Sequence, residues 1–341
     1  IYPKKKEPEV IKIGAILPLT GELSMFGNWL REGIEIASED YKVQVIFEDN
    51  KNQTSAAISA FNKLVTIDKV KSVITARTPV AYALAPLAIK NKIPIVFTFA
   101  DLPESPMGGV VNFHFPVKDE IKFIASSIHK HIGNKAAIIT VNDEYGELAS
   151  ILFRKNFKKE IVYKEHFEPR QIDFRSIVNK IPKETDFIFV VGYGQNLVAL
   201  IKTLSEKNIT IPIVSIYSFT VFFDLVKNYL KMPVYIPVTL YDIGKGNDKF
   251  FNEVKTKFLS KFNKEPNIVN LEAYEATKFL IETMKKNDFD PEKTLKNITT
   301  PQTIESVFGT LKLDSEGQAH FPLVLTKIFN NKREIIEIWE P

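Results

Sequence analysis

Thr78 and Pro79 are the pair with the most definite chemistry in this 341-residue sequence. Proline is favoured at the first position of a helix, and threonine is a good cap just before it. A helix beginning there presents N–H groups and a partial positive charge that suit an anion. A plain helix start with nothing bound is the competing reading. Tyr145 and Tyr193 lie in EYG and VGYG, just past two apolar runs that read as strands. A tyrosine in such a place offers apolar area and one hydroxyl. The chain has 11 tyrosines, so a surface or core role explains either one equally well.

Other chemistries find little support. The absence of cysteine removes disulfides, thiolate zinc sites and thiol catalysis together. No phosphate-cradling GxxxxGK[ST] occurs, and Gly192-Tyr193-Gly194 lacks the third glycine of a dinucleotide loop. Neither GxSxG nor HExxH is found. The histidines are His114, His129, His131, His166 and His320; His129 and His131 are two apart on an expected helix and face different ways, so no metal site is expected. Glu48 and Asp49 end a strand, where capping and solvation account for them. Sequons at Asn52, Asn208 and Asn297 fit chance in an Asn- and Lys-rich chain.

The elements that must position these residues alternate between strand and helix. The stretch 11–27, IKIGAILPLTGELSMFG, reads as a strand over 13–17 and a loop, leading into a helix over 28–40. In an open α/β sheet, a loop at the carboxyl end of a strand is where a ligand sits. Strands at 43–47, 71–75 and 94–98 alternate with helices at 56–67 and 80–90, then a turn-rich loop spans 101–109 before an extended piece at 112–115. The alternation restarts, with strands at 136–141, 161–165, 187–191 and 211–214 between helices at 121–132, 145–157, 174–181 and 197–205. An extended segment at 234–241, helices at 249–262 and 271–286, and hairpin-like strands at 309–313, 323–329 and 335–339 follow. This predicts an α/β fold with two parallel sheets. The last third is too small for a sheet domain of its own, so it completes the first two. The chain then crosses between lobes three times, near Pro116, Asp242 and Pro322. The expected division is 9–117 plus 243–321 for one lobe and 118–242 plus 322–341 for the other, with 1–8 as a polar leader.

Composition agrees with a soluble globular protein, at 45% apolar and 25% charged residues. The net charge of +4 is mild and its signs are interspersed, so no nucleic-acid surface is implied. No apolar run reaches spanning length. The start, IYPKKKEPEV, has no apolar core of a signal peptide.

Six pieces carry a resemblance. They are IKIGAILPLTGELSMFG, EDNKNQTSAAISAFNKLV, KIPIVFTFADLPESP, AIITVNDEYGELA, FIFVVGYGQNLVALIKTLSEKNI and FGTLKLDSEGQAHFPLVLTKI, in this order along nearly the whole chain. The chain resembles the type I periplasmic solute-binding proteins of ABC transporters, within them the leucine/isoleucine/valine-binding group. The resemblance implies two Rossmann-like lobes joined by three crossovers, closing over a ligand in the cleft. It implies the substrate-binding component of an ABC importer, carrying a branched-chain or related amino acid or a similar small carboxylate. A ligand-sensing ectodomain or a soluble amide or nutrient sensor of the same fold is the alternative. A DNA-binding regulator of related architecture has no room for its helix-turn-helix in the eleven-residue leader.

By the same resemblance, Thr78 supplies a hydroxyl to the ligand carboxylate. Ala100 and Asp101 fall on the loop along which the ligand backbone lies. Asp101 there repels a carboxylate but suits an ammonium, unless it only caps the next segment. Tyr145 and Tyr193 reach the ligand from the second lobe, and Phe26 packs on its side chain. The family usually places a glutamate for the ammonium where this sequence has Tyr217. Either Asp101 replaces that carboxylate or the ligand has no amine. Arg77, beside the carboxylate pocket, either clamps an acid bidentately or points to solvent. No catalytic residue, metal or cofactor is assigned. The expected partners are the small solute and the ABC permease membrane subunits, with no nucleic acid, and the protein is expected to be a monomer. The expected location is the periplasm or the extracellular face of a bacterial membrane, with a signal peptide or lipid anchor removed.

Overall fold

The structure, a computed structural model, describes residues 10–103, 108–330 and 332–340. The leader expected over 1–8 lies outside the described residues, as do 104–107 of the turn-rich loop. In chain order the first elements are β1 (Lys12–Leu17), α1 (Ser24–Tyr41), β2 (Gln44–Asp49), α2 (Thr54–Lys63), β3 (Val73–Ala76), α3 (Thr78–Asn91), β4 (Ile95–Thr98) and β5 (Val110–Asn112). There follow α4 (Val117–Ser127), β6 (Lys135–Val141), α5 (Glu144–Phe157), β7 (Glu160–Phe167), α6 (Arg175–Asn179), β8 (Phe187–Val191), α7 (Gly194–Glu206) and β9 (Ile213–Ser215). The chain continues with α8 (Ser218–Val221), α9 (Phe223–Val226), β10 (Val234–Thr239), α10 (Asp248–Phe262), α11 (Ile268–Lys286) and α12 (Pro291–Asn297). It closes with β11 (Gln302–Ser306), β12 (Gly309–Leu313), β13 (Ala319–His320), β14 (Leu323–Phe329) and β15 (Lys332–Trp339).

The chain divides into two compact units. The first comprises Ile1–His114, Asn252–Gln302 and Leu313–Ala319; the second comprises Phe115–Phe251, Thr303–Lys312 and His320–Pro341. Three passages therefore fall at 114/115, 251/252 and 319/320, and Thr303–Lys312 makes a short, unexpected excursion into the second unit. Relative to the expected division, 115–117, 243–251 and 320–321 group with the second unit instead of the first.

The first unit is built on a sheet of order β2-β1-β3-β4-β5, parallel throughout. Its inner strands are buried on both faces, as their continuous apolar runs require. Phe61, Leu64, Leu84, Ile95 and Phe97 are all fully buried in the core on one side of it. In the second unit the order is β15-β14-β10-β9-β8-β6-β7. The strands from β7 to β10 run parallel, while β14 and β15 add antiparallel at the other edge. Phe153 stacks on Phe189 with ring centroids 4.0 Å apart, and Phe157 meets Phe187 edge-on at 5.3 Å. Each such ring, taken out of water, contributes about 1.5–3 kcal/mol.

Both units share one winding. Counting from the first strand of each, the parallel order is second-first-third-fourth-fifth. The connections leave in opposite directions at the gap between first and third strands, which opens a crevice at the carboxyl ends. The gap lies between β1 and β3 in one unit and between β6 and β8 in the other. A glycine in the helix that follows the first strand of each unit serves this gap. A Cβ on Gly27 would stand 2.1 Å from the Pro18 carbonyl oxygen, and one on Gly146 would stand 1.9 Å from that of Val141. Only glycine lets each helix begin so close to its strand. The first helix accordingly starts at Ser24 rather than 28 and takes Gly27 inside it.

Other boundaries shift for local reasons. The helix expected over 56–67 is α2 followed by a wider π-type turn, Leu64–Asp68. The helix expected over 121–132 starts earlier, at Val117 after Pro116, and tightens into a 3-10 turn at Ile128–Lys130. Among the described residues, no helix is long and apolar enough to cross a membrane.

Candidate ligand-binding site

In the first unit, β3 and β4 end side by side and α3 begins at the same level. Arg77 links β3 to α3 with φ +83° and ψ 137°, and Phe99 follows β4 with φ +48°. Two bulky L-residues in the left-handed half of the map, on adjacent strand ends, hold local strain of order 1–3 kcal/mol each. Strain of this kind persists only where the surroundings over-determine the backbone, and it concentrates at functional sites.

Arg77, and not Thr78, precedes the helix as its cap residue; Thr78 is the first helical residue, with Pro79 next. The expected capping role of the Thr78 side chain is therefore corrected. Its Oγ1 accepts instead from the Asp101 N–H, at 3.1 Å, across to the loop after β4. A hydroxyl that accepts one bond still has a proton to donate. Thr78 is 2% exposed, Ala100 2% and Asp101 6%, so the threonine and this loop form one buried contact at the amino end of a helix. That end suits an anion. The Ala100 carbonyl accepts from Asn112 Nδ2 at 2.7 Å. Phe26, from the first turn of α1, meets the Phe99 ring edge-on at 5.4 Å. The structure thus brings Phe26, Arg77, Thr78, Ala100 and Asp101 together at the carboxyl ends of β3 and β4.

In the second unit, Tyr145 lies half-buried in the first turn of α5, and Tyr193 caps α7. Both follow the strands that flank the gap, β6 and β8. Asp143 joins them. Its Oδ1 accepts from the Gly146 N–H at 3.0 Å, and its Oδ2 accepts from the Tyr193 hydroxyl at 2.6 Å. Tyr217 has a different setting. Its ring is 1% exposed and meets Phe115 edge-on at 4.9 Å. Its N–H donates to Glu120 Oε1 at 2.8 Å, and its hydroxyl donates to Asp242 Oδ2 at 3.0 Å. Tyr217 is a core residue here, at the place where the resemblance puts a glutamate for the ligand ammonium. Burial pushes the Asp242 carboxyl above its usual range, against the opposing hydrogen bonds from Thr239 and Tyr217.

The family profile described as periplasmic binding protein matches residues 10–333. The chain belongs to the periplasmic binding protein family. Its fold is similar to that of LivJ, the branched-chain amino acid transporter substrate binding protein of Streptococcus pneumoniae solved in complex with isoleucine. The TM-score is 0.87 at 21% identity, over 98% of this chain and 100% of that one. A solute binding protein of an ABC transporter from Rhodopseudomonas palustris, solved with 3,4-dihydroxy benzoic acid, gives a TM-score of 0.83 at 18% identity, over 97% of each chain. The Leu/Ile/Val-binding protein homolog 3 of Brucella melitensis is 26% identical over 201 residues, 54% of this chain. That match spans about half of the relative's own length, 54%. The fold expected from the sequence, type I periplasmic binding protein, is the fold found.

Sequence reasoning missed two carboxylates in this periplasmic binding protein. Asp143 is one. The other is Glu272, 1% exposed on α11, whose Oε1 accepts from the Thr98 hydroxyl and, at 3.2 Å, from the Phe99 N–H. His114 Nδ1 stands 3.0 and 2.9 Å from the two oxygens of Glu272. A signal existed: Ile268, Glu272, Ala276 and Phe279 recur at helical spacing. An acid on such an apolar stripe has to find partners inside the protein.

Proposed function

We propose that this chain is the substrate-binding component of an ABC importer, and that its solute is a small carboxylate, a branched-chain or related amino acid first. The observation that carries the reading is the buried Thr78–Asp101 contact at the amino end of α3. It offers a hydroxyl and helix amides to a carboxylate. Asp101 and the Ala100 carbonyl then serve the ammonium, Phe26 serves the side chain, and Arg77 borders the cradle. Tyr145 and Tyr193 of the second unit supply further contacts to the solute. The family, and relatives solved with isoleucine and with a hydroxylated benzoic acid, support a solute-binding role. On this reading the protein is a binding protein and not an enzyme. It works as a monomer at the periplasmic or extracellular face of a bacterial membrane, and it delivers to permease subunits.

A second reading has an amine-free aromatic acid as solute, and two observations favour it. Tyr217 stands where the family's usual ammonium partner is expected, and Phe26 and Phe99 form an edge-on aromatic pair beside the cradle. A thermal-shift screen of amino acids against benzoates and simple aliphatic acids decides between the two. Stabilisation by leucine, isoleucine or valine supports the first. Stabilisation by amine-free acids alone overturns it. No response to either class overturns the carboxylate reading itself.

A further inference from the structure

We propose that Glu272 is the positioning residue of the 99–101 loop, and that it fixes the loop geometry on which solute recognition in the first unit depends. Three donors from two stretches of the sequence converge on its carboxylate. The Thr98 hydroxyl comes from the last residue of β4, the Phe99 N–H from the strained residue after it, and His114 Nδ1 from beyond β5. Glu272 is 1% exposed and His114 7%, so water does not replace these bonds.

The consequence runs along the chain. Phe99 has φ +48°, a value an L side chain keeps only when something outside it fixes the backbone. The Glu272 carboxylate is bonded to the amide at that residue. One residue later stands the Ala100 carbonyl; two later stands the Asp101 N–H that meets Thr78. His114, held by the same carboxylate, lies against the Phe99 ring with centroids 4.8 Å apart. The other side of that ring's environment is Phe26, at 5.4 Å. Glu272 therefore fixes both the backbone and the ring of Phe99 from behind. It acts through them and touches no solute itself. The part of the claim that concerns solute rests on the reading of this loop as a binding loop; the part that concerns loop geometry does not.

The test pairs Glu272→Ala with Glu272→Gln. Glutamine keeps an oxygen that accepts from Phe99 N–H and Thr98, while alanine keeps none. Hydrogen exchange of the amides of 99–101 is the primary readout, with β1 and β8 as internal references. The alanine variant is expected to exchange about tenfold or more faster in this loop, the size of one lost charge-assisted hydrogen bond, with the reference strands unchanged. The glutamine variant is expected to restore most of the protection. Equal exchange in the alanine variant and the wild type overturns the proposal, and so does failure of glutamine to rescue where alanine has sped exchange. If the alanine variant does not fold, Thr98→Val removes one donor at nearly constant shape. Faster exchange of 99–101 in that variant supports the claim, and unchanged exchange overturns it. Titration with L-isoleucine and with benzoate then reads affinity in the same variants. Should neither probe bind the wild type, the solute reading fails while the exchange result still judges Glu272.

Discussion

Thr78→Val removes one hydroxyl and keeps the shape of the side chain, so its effect can be worked out from two bonds. The first is present in the structure: the Asp101 N–H donates to Thr78 Oγ1 at 3.1 Å, and Asp101 is 6% exposed. Leaving that donor without an acceptor costs about 1–3 kcal/mol of stability. The second bond is the one proposed to the solute carboxylate. A hydrogen bond to a charged group contributes about 1.5–3 kcal/mol, so its loss weakens binding roughly 10–150-fold. Pro79 is retained, and α3 should form as before. Thr78→Ser keeps the hydroxyl and should stay within a few-fold of wild type. Calorimetric titration with the acid that stabilises the wild type best, run beside urea unfolding of each variant, separates the two effects. A valine variant that binds within about twofold of wild type, while losing the expected stability, refutes the role of Thr78 as a ligand group.

Asp101→Asn keeps the backbone N–H to Thr78 and removes one negative charge. The sign of its effect separates the two solute readings: an amino acid should bind roughly tenfold or more weakly, and a benzoate should bind more tightly, both read by titration. Tyr193→Phe removes the hydroxyl that donates to Asp143 Oδ2 at 2.6 Å. We expect a loss of about 1 kcal/mol or more in unfolding free energy, and weaker solute binding, since the ring is no longer tied to the head of α5. Asp242 should make stability depend on pH. Its carboxyl is raised by burial, so the folded state holds a proton that the unfolded state has released. Between the ordinary carboxylate value and the higher folded one, stability therefore falls as pH rises. Asp242→Asn should flatten that part of a melting-temperature profile, and an unchanged slope would remove Asp242 as its source.

The sequence showed the fold where burial leaves no choice. The run Phe187–Val191 is apolar at every position, and it forms a central strand with the expected limits. The pairing of β10 with β14 was not legible, because 234–239 and 323–329 are joined only in three dimensions and neither run announces its partner. The site divides in the same way. Thr78, Asp101, Tyr145 and Tyr193 stand at strand ends, and strand ends can be counted from periodicity. Glu272 and Asp143 act through partners far along the chain. Glu272 bonds residues separated from it by 174, 173 and 158 positions, and Asp143 meets Tyr193 across 50. The Arg77 backbone was equally hidden. Nothing in Arg-Thr-Pro announces a φ of +83°, which moved the cap from Thr78 to Arg77.

The two units use one winding for two kinds of chemistry. In the first unit, the groups proposed for the solute carboxylate are a hydroxyl and main-chain amides at a helix start. These hold an anion through fixed dipoles and gain little from the identity of the side chains around them. At the gap of the second unit, the corresponding places carry Tyr145 and Tyr193, with Tyr193 tied by Asp143. Phenol rings add apolar area and one hydroxyl each, and they respond to the shape of what they touch. On the proposed reading, charge recognition is the work of the first unit and shape recognition that of the second. Changes at Tyr145 or Tyr193 should re-rank solutes that share a carboxylate, whereas changes at Thr78 should weaken all of them alike.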